Sequence, residues 1–441
     1  MNNKIYIETY GCQMNVADSE TVASILDVNN YKIASEINNA DVIIINTCSV
    51  RDNAEKKIWS RLDFIKSIKR KNKNLIVGII GCMAQRIGEK MLEHPIVDFV
   101  AGPDAYRYLP ELISNSYLNN KFCNTDFNIN ETYSGILQKK KDNENMSGFI
   151  AITRGCNNFC SYCIVPYTRG RERSANYNDI INEVKKLQEN KFKELTLLGQ
   201  NVNSYYFEDN LNKVNFPSLI EMVAKNAPEM RIRFTTSHPK DLSDELIDVI
   251  ARNKNICNHI HLPVQSGSNK ILERMNRKYT REWYLNRINV IKSKIPDIGL
   301  SSDIFCGFSG ETEEDFQQTL SLMEEVCYDM AFMFKYSERP GTYAAKSLID
   351  DVPEDVKKER LNRMIHLQNK ISLKKNKADI GKTFEVLVEG FSKRSKEMLF
   401  GRTEQNKVVV FPSLNKKQGD TVMITIKDAS SATLKGEITN S

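Results

Sequence analysis

Short apolar runs alternate with helix-length segments through most of this 441-residue chain. That alternation limits the fold more than any other feature. Strands separated by helices run parallel, because each helix returns the chain to the same end of the sheet. In residues 1–118 the strand-like runs are "KIYIETYGC", "ADVIIINTC", "NLIVGIIGC" and "VDFVAGP", with helical patterns at 18–28, 52–71 and 84–93. This predicts an N-terminal open parallel α/β sheet domain. Residues 119–146 are polar and aperiodic and read as a linker. From 147 to 378 six more strand-like runs appear, from "GFIAITRGC" to "DMAFMFKYS", separated by helical patterns. They predict a partial (β/α)6 barrel, closed by a long charged helix over 353–378. In 379–441 short alternating runs broken by Gly, Asn and Pro predict a small all-β barrel.

A chain of this length needs more than one core. Its 41% hydrophobic and 27% charged residues fit an ordinary soluble protein. No run of about 18 apolar residues occurs, so no membrane span is expected. The N-terminus lacks the pattern of a signal peptide, so a cytoplasmic location is expected. The net charge of +6 permits a nucleic-acid partner. The basic stretches at 66–73 and 138–141 fit that role and fit a solvated surface equally well.

Ten cysteines are too sparse here for a disulfide scaffold, and clustered ones suggest metal or redox chemistry. "GCNNFCSYC" places Cys156, Cys160 and Cys163 together with no fourth thiol nearby. Three thiolates can hold three corners of a cubane iron–sulfur cluster and leave one iron open to a substrate. Structural zinc prefers four protein ligands, yet spacing alone leaves zinc open. Cys12, Cys48 and Cys82 are distant in sequence, but each ends a predicted strand: "ETYGC", "INTC" and "IIGC". In a parallel sheet those ends share one edge, so a second three-thiolate site is expected there. Gly11 and Gly81 permit tight turns beside it. Cys123, Cys257, Cys306 and Cys327 follow no such pattern and read as core or incidental.

Polar residues recur at predicted strand ends of the second unit, where such folds place chemistry. Gln200, Asn201, Ser237, Gln265, Asp303 and Glu311 read as lining one cavity, with Tyr162 interleaved between the cysteines as a shield. His259 and His261 share a face and read as hydrogen-bonded core histidines.

"CNNFCSYC" resembles the CxxxCxxC signature of radical S-adenosylmethionine enzymes. "TYGCQMN", "NTCSVRDNAEKK" and "GCMAQR" are similar to the N-terminal domain of methylthiotransferases. "TRGCNNFCSYCIVPYTRGRERS", "HLPVQSGSNKILERMNRKYT" and "YSERPGTYAA" continue the likeness, and the tail resembles the RNA-binding TRAM module. One departure is Ser309 in "GFSGE", where that family usually has proline. The resemblance covers nearly the whole chain. It implies a radical SAM barrel, two [4Fe-4S] clusters and S-adenosylmethionine. Cys156, Cys160 and Cys163 would hold the cluster that binds and cleaves the cofactor. Cys12, Cys48 and Cys82 would hold an auxiliary cluster carrying sulfur.

Within that family the likeness is greatest to members acting on N6-dimethylallyladenosine. A methylthio group would be added to C2 of that base, next to the anticodon of tRNA. Relatives acting on threonylcarbamoyl-adenosine are the nearest alternative, and a zinc-stabilised RNA-binding protein without catalysis is the rival of another class. The implied partners are a tRNA anticodon stem-loop, an electron donor and a sulfur or Fe–S supply protein, with the chain a monomer. Arg169, Arg171, Arg173, Lys393, Arg394, Lys396 and Arg402 are the expected phosphate contacts.

Overall fold

The computed structural model describes residues 3–49, 52–118, 120–136 and 146–439. The basic stretch 138–141 lies outside them. The N-terminal region runs β1 (Lys4–Thr9), α1 (Gln13–Val28), β2 (Lys32–Ile33), β3 (Val42–Thr47), α2 (Asp52–Lys71), β4 (Ile76–Gly81), α3 (Cys82–Ile87), β5 (Phe99–Ala101), α4 (Leu109–Ser116) and β6 (Phe122–Asn124). All six strands pair in parallel in the order β2-β1-β3-β4-β5-β6. β3 and β4 are buried along their whole length, as unbroken apolar runs in a parallel sheet should be. Successive side chains point to opposite faces. Ile44 and Ile80 pack with α1 and α4, whereas Ile43, Ile45 and Ile79 pack with α2.

β6 lies inside the segment expected as linker, and Tyr133 farther along it is buried. Its ring stacks on Tyr106, and its hydroxyl donates to the Pro103 carbonyl. A three-residue edge strand in polar surroundings carries no periodicity to read.

The middle region begins with β7 (Ser147–Ala151). A short antiparallel pair follows, β8 (Thr153–Arg154) with β9 (Arg173–Ser174), flanking α5 (Val165–Arg169). Then come α6 (Tyr177–Glu189), β10 (Glu194–Leu198), the hairpin β11 (Tyr206–Glu208) and β12 (Lys213–Asn215), α7 (Phe216–Asn226), β13 (Arg231–Thr235), α8 (Asp244–Arg252) and β14 (His259–His261). The region ends with α9 (Asn269–Arg274), α10 (Arg281–Lys294), β15 (Gly299–Cys306), α11 (Glu313–Val326), β16 (Met330–Lys335), α12 (Tyr343–Ser347) and α13 (Glu354–Lys377). β7, β10 and β13 form one parallel sheet and β14, β15 and β16 another, and a bridge from Ile232 to Ile256 joins them. The six strands curve into a partial barrel. Among the described residues no pairing closes β16 onto β7. On the β7 flank, Met14 and Ala17 of α1 pack against Leu198, Phe149 and Ala151. The N-terminal sheet is thereby docked on one lip of the opening.

The tail folds as a closed barrel of β17 (Thr383–Phe391), β18 (Met398–Arg402), β19 (Val408–Pro412), β20 (Thr421–Ala429) and β21 (Leu434–Ile438), in the order β17-β18-β19-β21-β20. Its β18–β19 turn inserts at the N-terminal floor of the larger barrel. Arg233 donates to the carbonyls of Thr403 (2.8 Å) and Glu404 (3.0 Å), and Arg231 donates to that of Arg402 at 2.8 Å. The Gln405 backbone lies so close to Gly299 that a Cβ there would meet its carbonyl at 2.5 Å.

Candidate functional site

The loop from Gly155 to Ile164 follows β8 at the C-terminal mouth of the partial barrel. Cys156 and Cys160 are buried and Cys163 half-buried. The loop is held by its neighbours: Asn276 donates to the Phe159 carbonyl at 2.9 Å, and Ser161 Oγ to that of Arg274 at 2.7 Å. Arg277 donates from its guanidinium to Cys160 Sγ at 3.3 Å and to the Pro263 carbonyl at 2.9 Å. Its Nε donates to the Tyr279 hydroxyl at 3.0 Å. This buried cation has a sulfur and neutral oxygens around it and no carboxylate among its hydrogen-bond partners. Burying an unpaired charge costs several kcal/mol, so the pocket suits an anionic group. Burial pushes the Cys156 thiol up to about 11 and the Cys163 thiol up to about 12. Coordination to a metal overrides such a shift, because a bound thiol is deprotonated outright.

The second trio forms as the sheet order dictates, since β1, β3 and β4 are adjacent. Cys12 sits at the N-terminus of α1, Cys48 directly follows β3 and Cys82 opens α3. Gly11, at φ +132°, lets the β1 turn press against Cys48, and a Cβ there would lie 2.6 Å from Cys48 Cβ. Asn15 ties the turns together, donating to the Thr47 carbonyl at 2.8 Å and to Asn46 Oδ1 at 3.1 Å. A hydrogen bond with Cys48, helped by the Arg169 charge and backbone N–H groups of α1, lowers the Cys12 thiol to about 6. Burial raises the Cys82 thiol.

The two trios are joined through α5, which starts two residues after Cys163 and packs on α3. At its end Arg169 donates from Nε to Cys82 Sγ at 3.2 Å and from a terminal nitrogen to Asp18 at 2.7 Å. Asp18, fully buried, also accepts from Arg154 at 2.6 Å. Burial would raise the Asp18 carboxyl, but the two guanidiniums outweigh it and hold it below its ordinary range. Two buried guanidiniums thus face one carboxylate and a thiol, which again favours an anionic group at the second trio. α5 thus carries the chain from the loop of Cys163 to the neighbourhood of Cys82. Among the described residues no three His, Cys, Asp or Glu side chains converge closely enough for one metal ion. A lone zinc would hold each sulfur at about 2.3 Å.

Around the mouth, buried polar atoms of Gln200 (Oε1), Ser237 (Oγ), His238 (Nε2) and Gln265 (Oε1) have no protein partner. They lie after β10, β13 and β14, and buried polar atoms without a protein partner are candidates for contact with a ligand or water. Burial, with the nearby Arg277 charge, lowers the His238 imidazole to about 2, so it stays neutral. Tyr162 packs edge-on against Phe305 and Phe308. Asp303 faces His261 at 3.5 Å, and both histidines bond to Ser301 Oγ.

Other expected site residues are committed elsewhere. Asn201 spends its side chain on Asp241 (2.6 Å) and the His238 backbone N–H (3.0 Å). Glu311 accepts from the Gly307 N–H at 2.7 Å and from Arg360 at 2.8 Å, which fixes the "GFSGE" turn to α13.

The expected phosphate contacts divide in the same way. Arg169 is buried against Asp18 and Cys82. Arg173 is buried in a bidentate pair with Asp104 at 2.9 and 2.8 Å. Neither can reach a phosphate. Arg402 is taken by Glu389 at 2.5 and 3.0 Å. Arg171 is exposed, 4.4 Å over the Phe159 ring. Lys393, Arg394 and Lys396 are exposed on the β17–β18 turn.

A three-cysteine loop at the mouth of a partial barrel, with further cysteines at the strand ends of the N-terminal sheet, marks a radical SAM protein with an additional N-terminal cysteine domain. Residues 150–323 match the Radical SAM superfamily, 4–102 the Uncharacterized protein family UPF0004 and 377–439 the TRAM domain. The fold is shared with a radical S-adenosylmethionine methyltransferase from Kitasatospora setae (TM-score 0.58, 11% identity, 78% of this chain and 77% of that one). It is also shared with a cobalamin-dependent S-adenosylmethionine radical enzyme (TM-score 0.57, 13% identity, 83% and 56%).

Curated relatives from Porphyromonas gingivalis (58% identical, 99% of this chain and 95% of that one) and Bacteroides thetaiotaomicron (59%, 99% and 96%) are named tRNA-2-methylthio-N(6)-dimethylallyladenosine synthase. The chain belongs to the family of these synthases.

Proposed function

We propose that this chain is the tRNA-modifying enzyme that adds a methylthio group to C2 of N6-dimethylallyladenosine beside the anticodon. The observation that carries the reading is the pair of three-thiol sites linked by α5, with Arg277 on a sulfur of one and Arg169 on a sulfur of the other. Each trio lacks a fourth protein ligand and each neighbourhood favours negative charge, as a [4Fe-4S] cluster on three cysteines requires. Cys156, Cys160 and Cys163 would hold the cluster that works with S-adenosylmethionine, and Cys12, Cys48 and Cys82 an auxiliary one. When bound, these groups supply one-electron chemistry and a sulfur carrier, which acid–base side chains cannot provide at an unactivated aromatic carbon.

The remaining work falls to the chain. Gln200, Ser237 and Gln265 offer buried oxygens to orient the cofactor, and neutral His238 offers a ring nitrogen without adding charge. Arg171, Lys393, Arg394 and Lys396 meet phosphates of the anticodon arm. Within a loop the target base can be splayed out at modest cost. An electron donor and a sulfur supply act from outside, in the cytoplasm, on a monomer.

Mass spectrometry of tRNA nucleosides from a deletion strain, with and without the gene restored, tests the reading. The methylthio nucleoside should vanish and return, while its dimethylallyl precursor accumulates. Persistence of the methylthio nucleoside in the deletion strain sinks the proposal. Anaerobic purification separates the zinc alternative: a brown protein with roughly eight irons fits the enzyme, and a colourless zinc protein does not.

A further inference from the structure

The lumen of the partial barrel carries charged side chains on β10 and β13 and an apolar edge on β16. On β10 and β13 the inward positions include Glu194, Arg231 and Arg233, which bond to one another or to the inserted turn of the tail. On β16, Ala331 and Met333 pack outward into the helix-covered core. Met330, Phe332 and Phe334 therefore point inward, in register with Ser301, Asp303 and Phe305 of β15. They are 37%, 46% and 38% exposed. Phe332 lies edge-on to His261 (5.9 Å between ring centres), Phe334 tilts against Phe305 (5.8 Å) and Phe305 meets Tyr162 (5.2 Å). Phe334, Phe305 and Tyr162 thus form a row of rings that reaches the three-cysteine loop. On the opposite lip α1 covers Phe149 and Ala151, whereas β16 borders the open side of the barrel.

We propose that Met330, Phe332 and Phe334 seat the modified base of the tRNA substrate, with the dimethylallyl group lying against Phe332. The inference rests on the function proposed above and names the subsite that selects the prenyl substituent. Met330 to Phe334 spans about 13 Å of strand, enough for a purine and its five-carbon arm. The faces of such a base are apolar and its ring edges polar, which matches an apolar edge on β16 beside Ser301 and Asp303 of β15. A threonylcarbamoyl arm would bring a carboxylate against phenyl rings and beside Asp303, where it would lose water without gaining a partner. A strip of exposed rings near the three-cysteine loop favours a base over a protein partner, because stacking rewards any ring of suitable size.

The test is binding of two anticodon stem-loop RNAs to the reconstituted full chain by fluorescence anisotropy. One RNA carries unmodified adenosine at the target position and the other carries N6-dimethylallyladenosine. The native chain should prefer the prenylated RNA. Phe332→Ala should lose roughly tenfold or more in affinity for it, while affinity for the unmodified RNA changes less than twofold. Phe332→Leu, which keeps an apolar surface, should retain most of the preference. Both variants alter a half-exposed side chain, and an unchanged melting temperature verifies the fold. Equal losses for the two RNAs, no loss, or a loss confined to S-adenosylhomocysteine binding would each overturn the assignment. If the native chain has no preference and forms no methylthio product, the proposed function itself fails. If it forms product while Phe332→Ala keeps the preference, only the seat is wrong.

Discussion

Asp18→Asn is the sharpest perturbation the buried network allows. The carboxylate is fully buried, 2.6 Å from a nitrogen of Arg154 and 2.7 Å from one of Arg169. At an effective dielectric constant near 20, each pair with charge centres about 4 Å apart attracts by about 4 kcal/mol. Mutual repulsion of the two guanidiniums and the cost of desolvation offset part of this. Asparagine keeps one acceptor for one arginine but turns an amide donor toward the other. Both charge–charge attractions are lost, one hydrogen bond is kept and a second uncompensated positive charge remains, so a net destabilisation of about 3–5 kcal/mol is expected.

Because Asp18 is on α1 while Arg154 and Arg169 belong to the partial barrel, the loss should be felt where the two regions meet. Hydrogen exchange resolves that junction without assuming two-state unfolding of a multidomain chain. Amides of α1 and α5 should exchange faster by a factor on the order of 10² to 10⁴, with β17–β21 unchanged. Iron bound by the N-terminal trio should fall in the same variant, since Arg169 loses the partner that aims it at Cys82. Protection of α1 and α5 within twofold of the native chain, with full iron content, would refute the reasoning.

Arg277→Met removes a donor and a buried charge from Cys160 Sγ, so the associated cluster should shift to a more negative potential. Arg277→Lys should shift less, and identical potentials in titrations followed by electron paramagnetic resonance would argue against the contact. Replacing Lys393, Arg394 and Lys396 together by Ala should flatten the salt dependence of RNA binding by about 2–3 in log–log slope, and a change below one would remove this turn from the interface. Burial raises the Glu311 carboxyl from its ordinary 4.5 to about 7. The folded chain then keeps a proton that the unfolded chain releases between those values. The native chain should lose roughly 3 kcal/mol of stability as pH rises through that window, and Glu311→Gln should not. Parallel melting profiles from pH 4.5 to 7.5 would contradict this.

That Cys12, Cys48 and Cys82 fall at neighbouring strand ends was legible, because once β1, β3 and β4 are parallel and adjacent, residues that end them share one edge. The six strands of the partial barrel were legible from the alternation of strand and helix, and the all-β tail from short alternating runs broken by Gly, Asn and Pro. The arginines of "RGRERS" were misread for the opposite reason. A local run of basic residues looks solvated, but Arg169 and Arg173 meet Asp18 and Asp104 from 151 and 69 residues away. Only the docking of the N-terminal sheet creates those partners, and no periodicity marks it. Arg277 was missed similarly, since nothing in "MNRKYT" distinguishes a guanidinium on a sulfur from one in water. Glu311 stands at the mouth, as its position implied, but Arg360 on a later helix claims it.

The turn of the tail barrel wedged beneath the larger one has a mechanical meaning. Arg231 and Arg233 anchor it through its backbone carbonyls, independent of the side chains that the turn itself carries. The far end of β18, where the basic turn lies, is therefore at a set height from the cysteine loops. Under the proposed function, a stem gripped there would present its loop at a fixed depth, and a nucleotide would be chosen by how far it stands from the grip, as a gauge block sets a tool.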